Sequence, residues 1–264
     1  MRDKKAFTVF VILRILTIAV MIRCAFLGQW ESLFTCALAL TLMMIPPFVE
    51  KSFKIDLPTT LEIIVFVFVF CAEILGEVSS YYVKYRLWDT ALHTTSGFIF
   101  AAVGFCIVDL MNRNKNIRME LSPATLAVVA FCFSMTIGVL WEFFEFGADR
   151  LLGVDMQKDT IVNAIHTVTL DPTKTNTVIH VKNITDTVIH TASGETVTIN
   201  GYLDIGIIDT MKDLLVNFIG AVVFSIIGYF YIKRRGTGKI AKKFIPVLED
   251  DNKPVSIEET ESNE

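Results

Sequence analysis

Six stretches of this chain are apolar over roughly the length needed to cross a lipid bilayer, and that decides which folds are open to it. A spanning helix needs about 20 predominantly apolar residues to cross about 30 Å of hydrocarbon. Residues 6–27, 33–49, 59–77, 89–110, 123–149 and 209–232 answer to that description. Inside hydrocarbon a backbone must satisfy its own N–H and C=O groups, so these segments are expected as helices. Composition agrees: 53% of the 264 residues are hydrophobic, 21 of them Phe. That is too apolar for a soluble domain of this size. The second stretch is short and is expected to stop at Pro46-Pro47, where a helix cannot easily continue. Arg14 and Arg23 interrupt the first run and no small-x-small cleavage site follows. It is therefore read as a retained helix and not as a secretion signal.

Lys and Arg in the loops set the orientation. With the N-terminus in the cytoplasm, the inner segments carry fourteen such residues, among them Lys51, Lys54, Arg113, Arg118 and the run from Lys233 to Lys243. The short outer loops carry only Lys84 and Arg86. The expected topology is six spans with both termini cytoplasmic. The fold class is an all-α polytopic membrane protein, about six transmembrane helices with a small extracytoplasmic β-rich insert. The net charge of −4 is segregated by side and identifies no partner beyond the bilayer itself; no nucleic-acid partner is expected. Cys24, Cys36, Cys71, Cys106 and Cys132 all fall within the apolar stretches, which implies packing and no disulfide framework.

Four regions follow: helices one to five over residues 1–149, the insert over 150–208, a sixth helix over 209–235, and a basic then acidic disordered tail over 236–264. In the insert, 161–170, 177–181, 187–191 and 196–200 are rich in Thr, Val and Ile and are expected as strands. Asp171-Pro172, Lys182-Asn183 and Ser193-Gly194 mark turns between them. A repeat, Thr-Val-Ile-His, ends at His180 and again at His190. Two exposed hairpin histidines or a metal-binding pair would both produce it. Asn183-Ile184-Thr185 is a glycosylation sequon, relevant only in a cell that glycosylates.

Ionisable residues interrupt the apolar stretches near one end. Asp89 and His93 are spaced i, i+4; Glu142, Glu145 and Asp149 are i, i+3, i+7; Asp209, Asp213 and Asn217 are i, i+4, i+8. Glu73 and Glu77 repeat the i, i+4 spacing. Helical geometry puts each set on one face. At membrane depth such groups cost about 2.5–3.5 kcal/mol each on insertion scales, so they are expected to face one another and to mark a functional site. At about 1.5 Å rise per residue, Glu142 stands about 28 Å from Pro123, which places the set in the outer part of the bilayer. The inner halves hold only Glu62 and Asp109 in comparable positions. The expected shape is a cup open to the outside. Arg14, near mid-membrane in the first span, is expected to snorkel inward or to pair with a buried carboxylate.

So many carboxylates raise one another's pKa and call for a cation. Oxygen-rich ligation with one imidazole suits Mg²⁺, Ca²⁺ or Mn²⁺. The candidate ligands are Asp89, His93, Glu142, Glu145, Asp149, Asp209, Asp213 and Asn217. The same set offers acid–base candidates in His93, Glu142 and Asp213. Ser96-Gly97 lies beside His93, but no nucleophile elbow surrounds it.

Three spaced motifs carry a resemblance. Trp88-Asp89-x-x-x-His93 with Ser96-Gly97, then Trp141-Glu142-x-x-Glu145-x-x-x-Asp149, then Asp209-Thr210-x-x-Asp213-x-x-x-Asn217-x-x-Gly220-Ala221 occur in order. Together they resemble the YjdF-like proteins of the bacterial inner membrane, over roughly residues 60–235. The stretch 153–157 is similar to members from Gram-positive bacteria. The resemblance implies a multi-pass protein of the bacterial cell membrane and no established activity. A looser similarity is to VanZ-like membrane proteins, in which Asp89 with His93, Glu142, and Asp213 with Asn217 and Gly220 would correspond. Here Glu145 stands where those proteins carry Gln, and the β-rich insert is not part of their pattern. Four readings stay open: a cup binding a divalent cation or cationic ligand, an enzyme acting on a lipid-linked or envelope substrate at the outer leaflet, a transporter, and an envelope scaffold built on the insert.

Overall fold

The computed structural model describes residues 3–53, 55–113, 121–234, 243–245 and 247–248. The chain divides into two compact units, one of residues 1–136 with 216–264 and the other of residues 137–215. The fold is mainly helical. Among the described residues, five helical segments are long and apolar enough to cross a membrane: Lys4–Phe26, Trp30–Ser52, Trp88–Asn112, Pro123–Leu152 and Ile207–Lys233.

In the first unit, α1 (Lys4–Phe26) is capped by Asp3, whose carboxylate accepts from the Lys5 amide at 2.9 Å and from Thr59 Oγ1 at 2.9 Å. Those two bonds hold the Asp3 carboxyl below its ordinary range. The helix is apolar around its circumference, leaving Phe7, Ile12, Ile15 and Ile22 exposed, the surface expected against lipid. Gly28, at φ +68°, turns the chain into α2 (Trp30–Leu42), a conformation that glycine adopts without strain. The expected stop at Pro46-Pro47 is not where α2 ends. The helix breaks at Met43-Met44, and both prolines lie in the first turn of α3 (Ile45–Phe53). A missing N–H costs nothing in a first turn, where it has no intrahelical partner. Arg14 meets no carboxylate among the described residues. Its Nη1 donates to Leu40 O at 3.3 Å and to Met44 Sδ at 3.1 Å, and its guanidinium lies 5.2 Å from the Phe10 ring centre.

A two-residue strand, β1 (Ile55–Asp56), leads into α4 (Thr59–Val69), which continues as a π-helix over Phe70–Val78. Ser79 N donates to Ile74 O at 3.1 Å, the i→i−5 pattern of that wider coil. Gly76 lies in it with no room for a Cβ, because the Tyr82 ring fills that space. After the short α5 (Tyr81–Lys84), α6 (Trp88–Arg113) forms the centre of this unit. Its apolar window is 44% buried, against 11% for α1. Ala101, Ala102, Phe105 and Cys106 of α6 pack with Leu61, Leu126, Ala130, Ala221 and Phe224.

The end of the described chain departs from expectation. Phe244 and Ile245, at the start of the segment read as a disordered tail, are buried in that core. The Phe244 ring lies 5.0 Å from Phe98 and 6.2 Å from Phe224, and Cys106 Sγ donates to Phe244 O at 3.5 Å. The next residues form β8 (Val247–Leu248), antiparallel to β1 with Ile55 opposite Leu248. Residues 249–264 of the expected tail lie outside the described residues, as do 236–242.

The second unit holds the C-terminal part of α7 (Pro123–Leu152), the β-rich segment and the start of α8 (Ile207–Lys233). Strands β2 (Ile161–Val162) and β7 (Tyr202–Leu203) pair and close the segment at its base. Two hairpins stand between them, β3 (Ala164–Thr167) with β4 (Ile179–Lys182), and β5 (Thr187–His190) with β6 (Thr196–Ile199). The expected strand 161–170 is split in two and ends sooner. Asp171 ends it: its carboxylate accepts from the amides of Thr173 (2.9 Å), Thr175 (2.9 Å) and Thr177 (3.0 Å), winding 171–177 into a loop.

Candidate functional site

The polar groups of α7 and α8 are turned the opposite way from those of a soluble helix. On α7, Glu142 and Glu145 are buried while Trp141, Phe143, Phe144 and Phe146 are exposed. On α8, Asp213 and Asn217 are each 1% exposed while Met211, Leu215, Phe218 and Ile219 face outward. A 3.6-residue period carries both patterns, with the acids as the inner stripe and the large apolar side chains as the outer one. Water would favour the reverse; lipid favours this arrangement.

In the first unit, Asp89 and His93 form the expected pair. His93 Nε2 lies 3.3 Å from Asp89 Oδ1, with both side chains mostly buried. One turn further along α6, Ser96 Oγ donates to the His93 carbonyl at 2.9 Å and approaches Asn217 Oδ1 at 3.5 Å. This hydroxyl serves the backbone and is not presented to the imidazole ring as a nucleophile. Asn217 Nδ2 lies 3.5 Å from Met135 Sδ, and Ser134 Oγ donates to Gly97 O at 2.7 Å. Gly97 and Gly220 make the crossing of α6 and α8 close: the space for a Cβ is filled at Gly97 by the Asn217 carbonyl and at Gly220 by the Thr94 carbonyl. Small residues of this kind let transmembrane helix backbones approach. Here they bring Asn217 to within a turn of His93.

In the second unit, Asp149 and Asp209 are structural clasps. Asp149 accepts from the amides of Met156 (2.6 Å) and Gln157 (2.9 Å), and Asp209 accepts from the Lys158 amide (3.0 Å). Gln157 Nε2 donates to Thr210 Oγ1 at 2.5 Å, tying the same loop to α8. Asp204 takes the Thr160, Gly206 and Ile208 amides at 2.6, 3.2 and 2.9 Å, which caps the start of α8. Burial opposes ionisation of Asp204, but the amide bonds outweigh it and hold the carboxyl below its ordinary range. Asp159 is shifted up, first by burial and then by Asp155, Asp204 and Asp149. The acids of this unit also have a resident cation that spacing alone did not single out. Lys212 Nζ lies 3.5 Å from Asp209 Oδ1 and 3.7 Å from Asp213 Oδ1. A lysine next to one acid and three residues after another was the available signal. Trp141 Nε1 donates to Glu145 Oε1 at 2.8 Å, a second partner not foreseen.

The pair Glu73 and Glu77 separates: Glu73 is buried and Glu77 exposed, both on the π-helical stretch. Glu62 and Asp109, 2% and 3% exposed, are closed off and line no open vestibule among the described residues. The five cysteines are free thiols.

Apolar helices of spanning length that bury polar side chains define a multi-pass helical membrane protein. The chain belongs to the family described as predicted membrane protein (DUF2238), whose model matches residues 7–234. It is also 27% identical over 103 residues to an uncharacterized protein of Thermotoga maritima, a match covering 39% of this chain and 51% of that relative's length. The chain therefore spans about half of that relative. No solved structure matches it. These findings agree with the resemblance to an uncharacterised bacterial membrane family and give no support to the VanZ-like one.

Proposed function

We propose that this protein binds a divalent cation, or a cationic group of a ligand, in a polar site held among its membrane helices. The observation that carries the reading is the inverted pattern of α7 and α8, with Glu142, Glu145, Asp213 and Asn217 as buried stripes under exposed aromatic and aliphatic side chains. The Asp89–His93 pair supplies the imidazole, its ring oriented by the carboxylate. Asp89, His93 and Asn217 of the first unit are the proposed ligands, and Asp213, Glu142 and Glu145 of the second unit are kept as candidates on their helical spacing. Asp149 and Asp209 are not among the ligands of this reading, since both Asp149 oxygens accept backbone amides and Asp209 offers Oδ2 to the Lys158 amide and Oδ1 to Lys212. Oxygen donors with one imidazole suit Mg²⁺, Ca²⁺ or Mn²⁺.

The same reading takes the protein as a multi-pass component of the bacterial cell (inner) membrane with both termini cytoplasmic and the β-rich segment outside. The composite helix Thr59–Val78, third in chain order, would bring the number of spans from five to six. The site would then open to the outer leaflet, where a lipid-linked or envelope precursor is the ligand class within reach. The Asp89–His93 geometry also favours a second reading, an enzyme in which His93 is the general base and Asp89 orients it.

Elemental analysis of detergent-purified protein tests the first reading. About one equivalent of Mg, Ca or Mn is expected, absent from the His93→Ala/Glu142→Ala/Asp213→Ala variant. A metal-free wild type prepared without chelator would overturn it. Reporter fusions after residues 56, 86 and 200 test the orientation.

A further inference from the structure

We propose that His166 and His180 form a second metal site, for Cu²⁺ or Ni²⁺, on the β3–β4 hairpin. Two of the chain's four histidines occupy directly opposed positions in that antiparallel ladder. Both are exposed, and their rings meet edge-on at 67°, with the two Nδ1 atoms 2.8 Å apart and centroids 4.8 Å apart. The repeat in the sequence would have paired His180 with His190. The register pairs it with His166 instead, and His190 sits on β5 opposite Thr196, with Nδ1 3.4 Å from Thr196 Oγ1.

Metal–nitrogen bonds to imidazole are about 2.0–2.1 Å long. Two nitrogens at a right angle about such an ion stand about 2.9 Å apart, and at a tetrahedral angle about 3.4 Å apart. The observed 2.8 Å is the right-angle spacing, that of neighbouring corners in a square-planar or tetragonal complex. Nitrogen ligands in that geometry select Cu²⁺ or Ni²⁺ over the hard cations proposed for the helix site. Side chains alternate across a strand, so the next pair on this face is Ala164 opposite Lys182, and beyond the other end of the ladder come Val168 and Val178. None of these is a carboxylate or thiol. Water or a small external ligand would fill the remaining positions, and the cationic Lys182 favours an anionic one. Without a metal, the same two nitrogens share one proton in a hydrogen bond.

The test is a Cu²⁺ titration of the full-length protein in detergent, purified on a tag without histidines and followed by electron paramagnetic resonance. Wild type and His93→Ala should each take up one equivalent with an axial signal split by two imidazole nitrogens. His166→Gln and His180→Gln should each lose that signal, while His190→Gln keeps it. Far-UV circular dichroism confirms that the hairpin variants remain folded. A signal unchanged in both His166→Gln and His180→Gln, or no two-nitrogen signal in wild type, would overturn the proposal and leave the pair as a hydrogen bond only. Persistence in His93→Ala separates this outcome from failure of the helix site.

Discussion

The carbonyl of Asn217 occupies the space that a Cβ on residue 97 would need, so the α6–α8 crossing and the position of the buried carboxamide are one feature. Asn217 cannot retreat without moving the α8 backbone, and Gly97 cannot be enlarged without pushing it. Gly97→Ala should therefore lower stability by about 1–3 kcal/mol, the usual cost of overpacking a close-packed site. It should also disturb the Ser96–Asn217 approach. Thermal unfolding in detergent measures the first effect. Gly147→Ala is the control, since nothing lies within 4 Å of its Cβ position.

Asp149 and His93 should behave differently when each is replaced by alanine. Asp149 accepts two backbone amides of the 156–157 loop, so Asp149→Ala strands them at a cost of about 1–3 kcal/mol. Metal content should remain that of wild type. His93→Ala should leave the loop intact and remove the metal. Amide exchange at Met156 and Gln157, measured beside elemental analysis on both variants, separates the two roles. Equal metal loss in both would return Asp149 to the ligand set.

Much of this fold is legible in the chain because burial in lipid leaves a long, uninterrupted signal, as in the runs that became α1, α6, α7 and α8. The i, i+4 spacing of Asp89 and His93 also translated directly into contact. What the sequence hid depends on distant partners. Whether residues 70–78 wind as an α- or a π-helix is a matter of hydrogen bonds one residue longer, and at Gly76 the Tyr82 ring sets the packing. Asp149 and Asp209 look identical to ligating acids until the loop they clasp is in place. The His166–His180 pair needed the hairpin register, which the Asp171 loop sets and which the local repeat at His180 and His190 obscured.

Phe244 illustrates the same limit from the other side, since it begins a run of only five apolar residues, 244–248, enclosed between basic and acidic stretches. Its ring packs against Phe98 and Phe224 in near-perpendicular edge contacts. Phe244→Ala should destabilise the first unit by about 3–5 kcal/mol, the range for removing a buried phenyl ring. Lys243→Ala, at an exposed neighbour, should be nearly neutral. Comparing their melting temperatures checks whether this segment is part of the core.

The loop that aligns the histidine hairpin should loosen in acid. Asp171 is held at a pKa of about 2, mainly by the Thr173 hydroxyl at 2.6 Å and then by the amides of Thr177, Thr173 and Thr175. An unfolded Asp titrates near about 3.9. Because the folded value is the lower one, the stabilisation is complete above the unfolded value. It is lost as pH falls from about 4 through about 2. The protection factors of the Thr173, Thr175 and Thr177 amides, taken against intrinsic rates at each pH, should therefore fall across that window, while the Ile161–Leu203 ladder stays protected. In Asp171→Ala the same amides should be unprotected already at neutral pH and show no further loss of protection in the window. Cu²⁺ uptake by His166 and His180 should weaken in that variant, since the strands that oppose them would no longer be held in register by the loop between them.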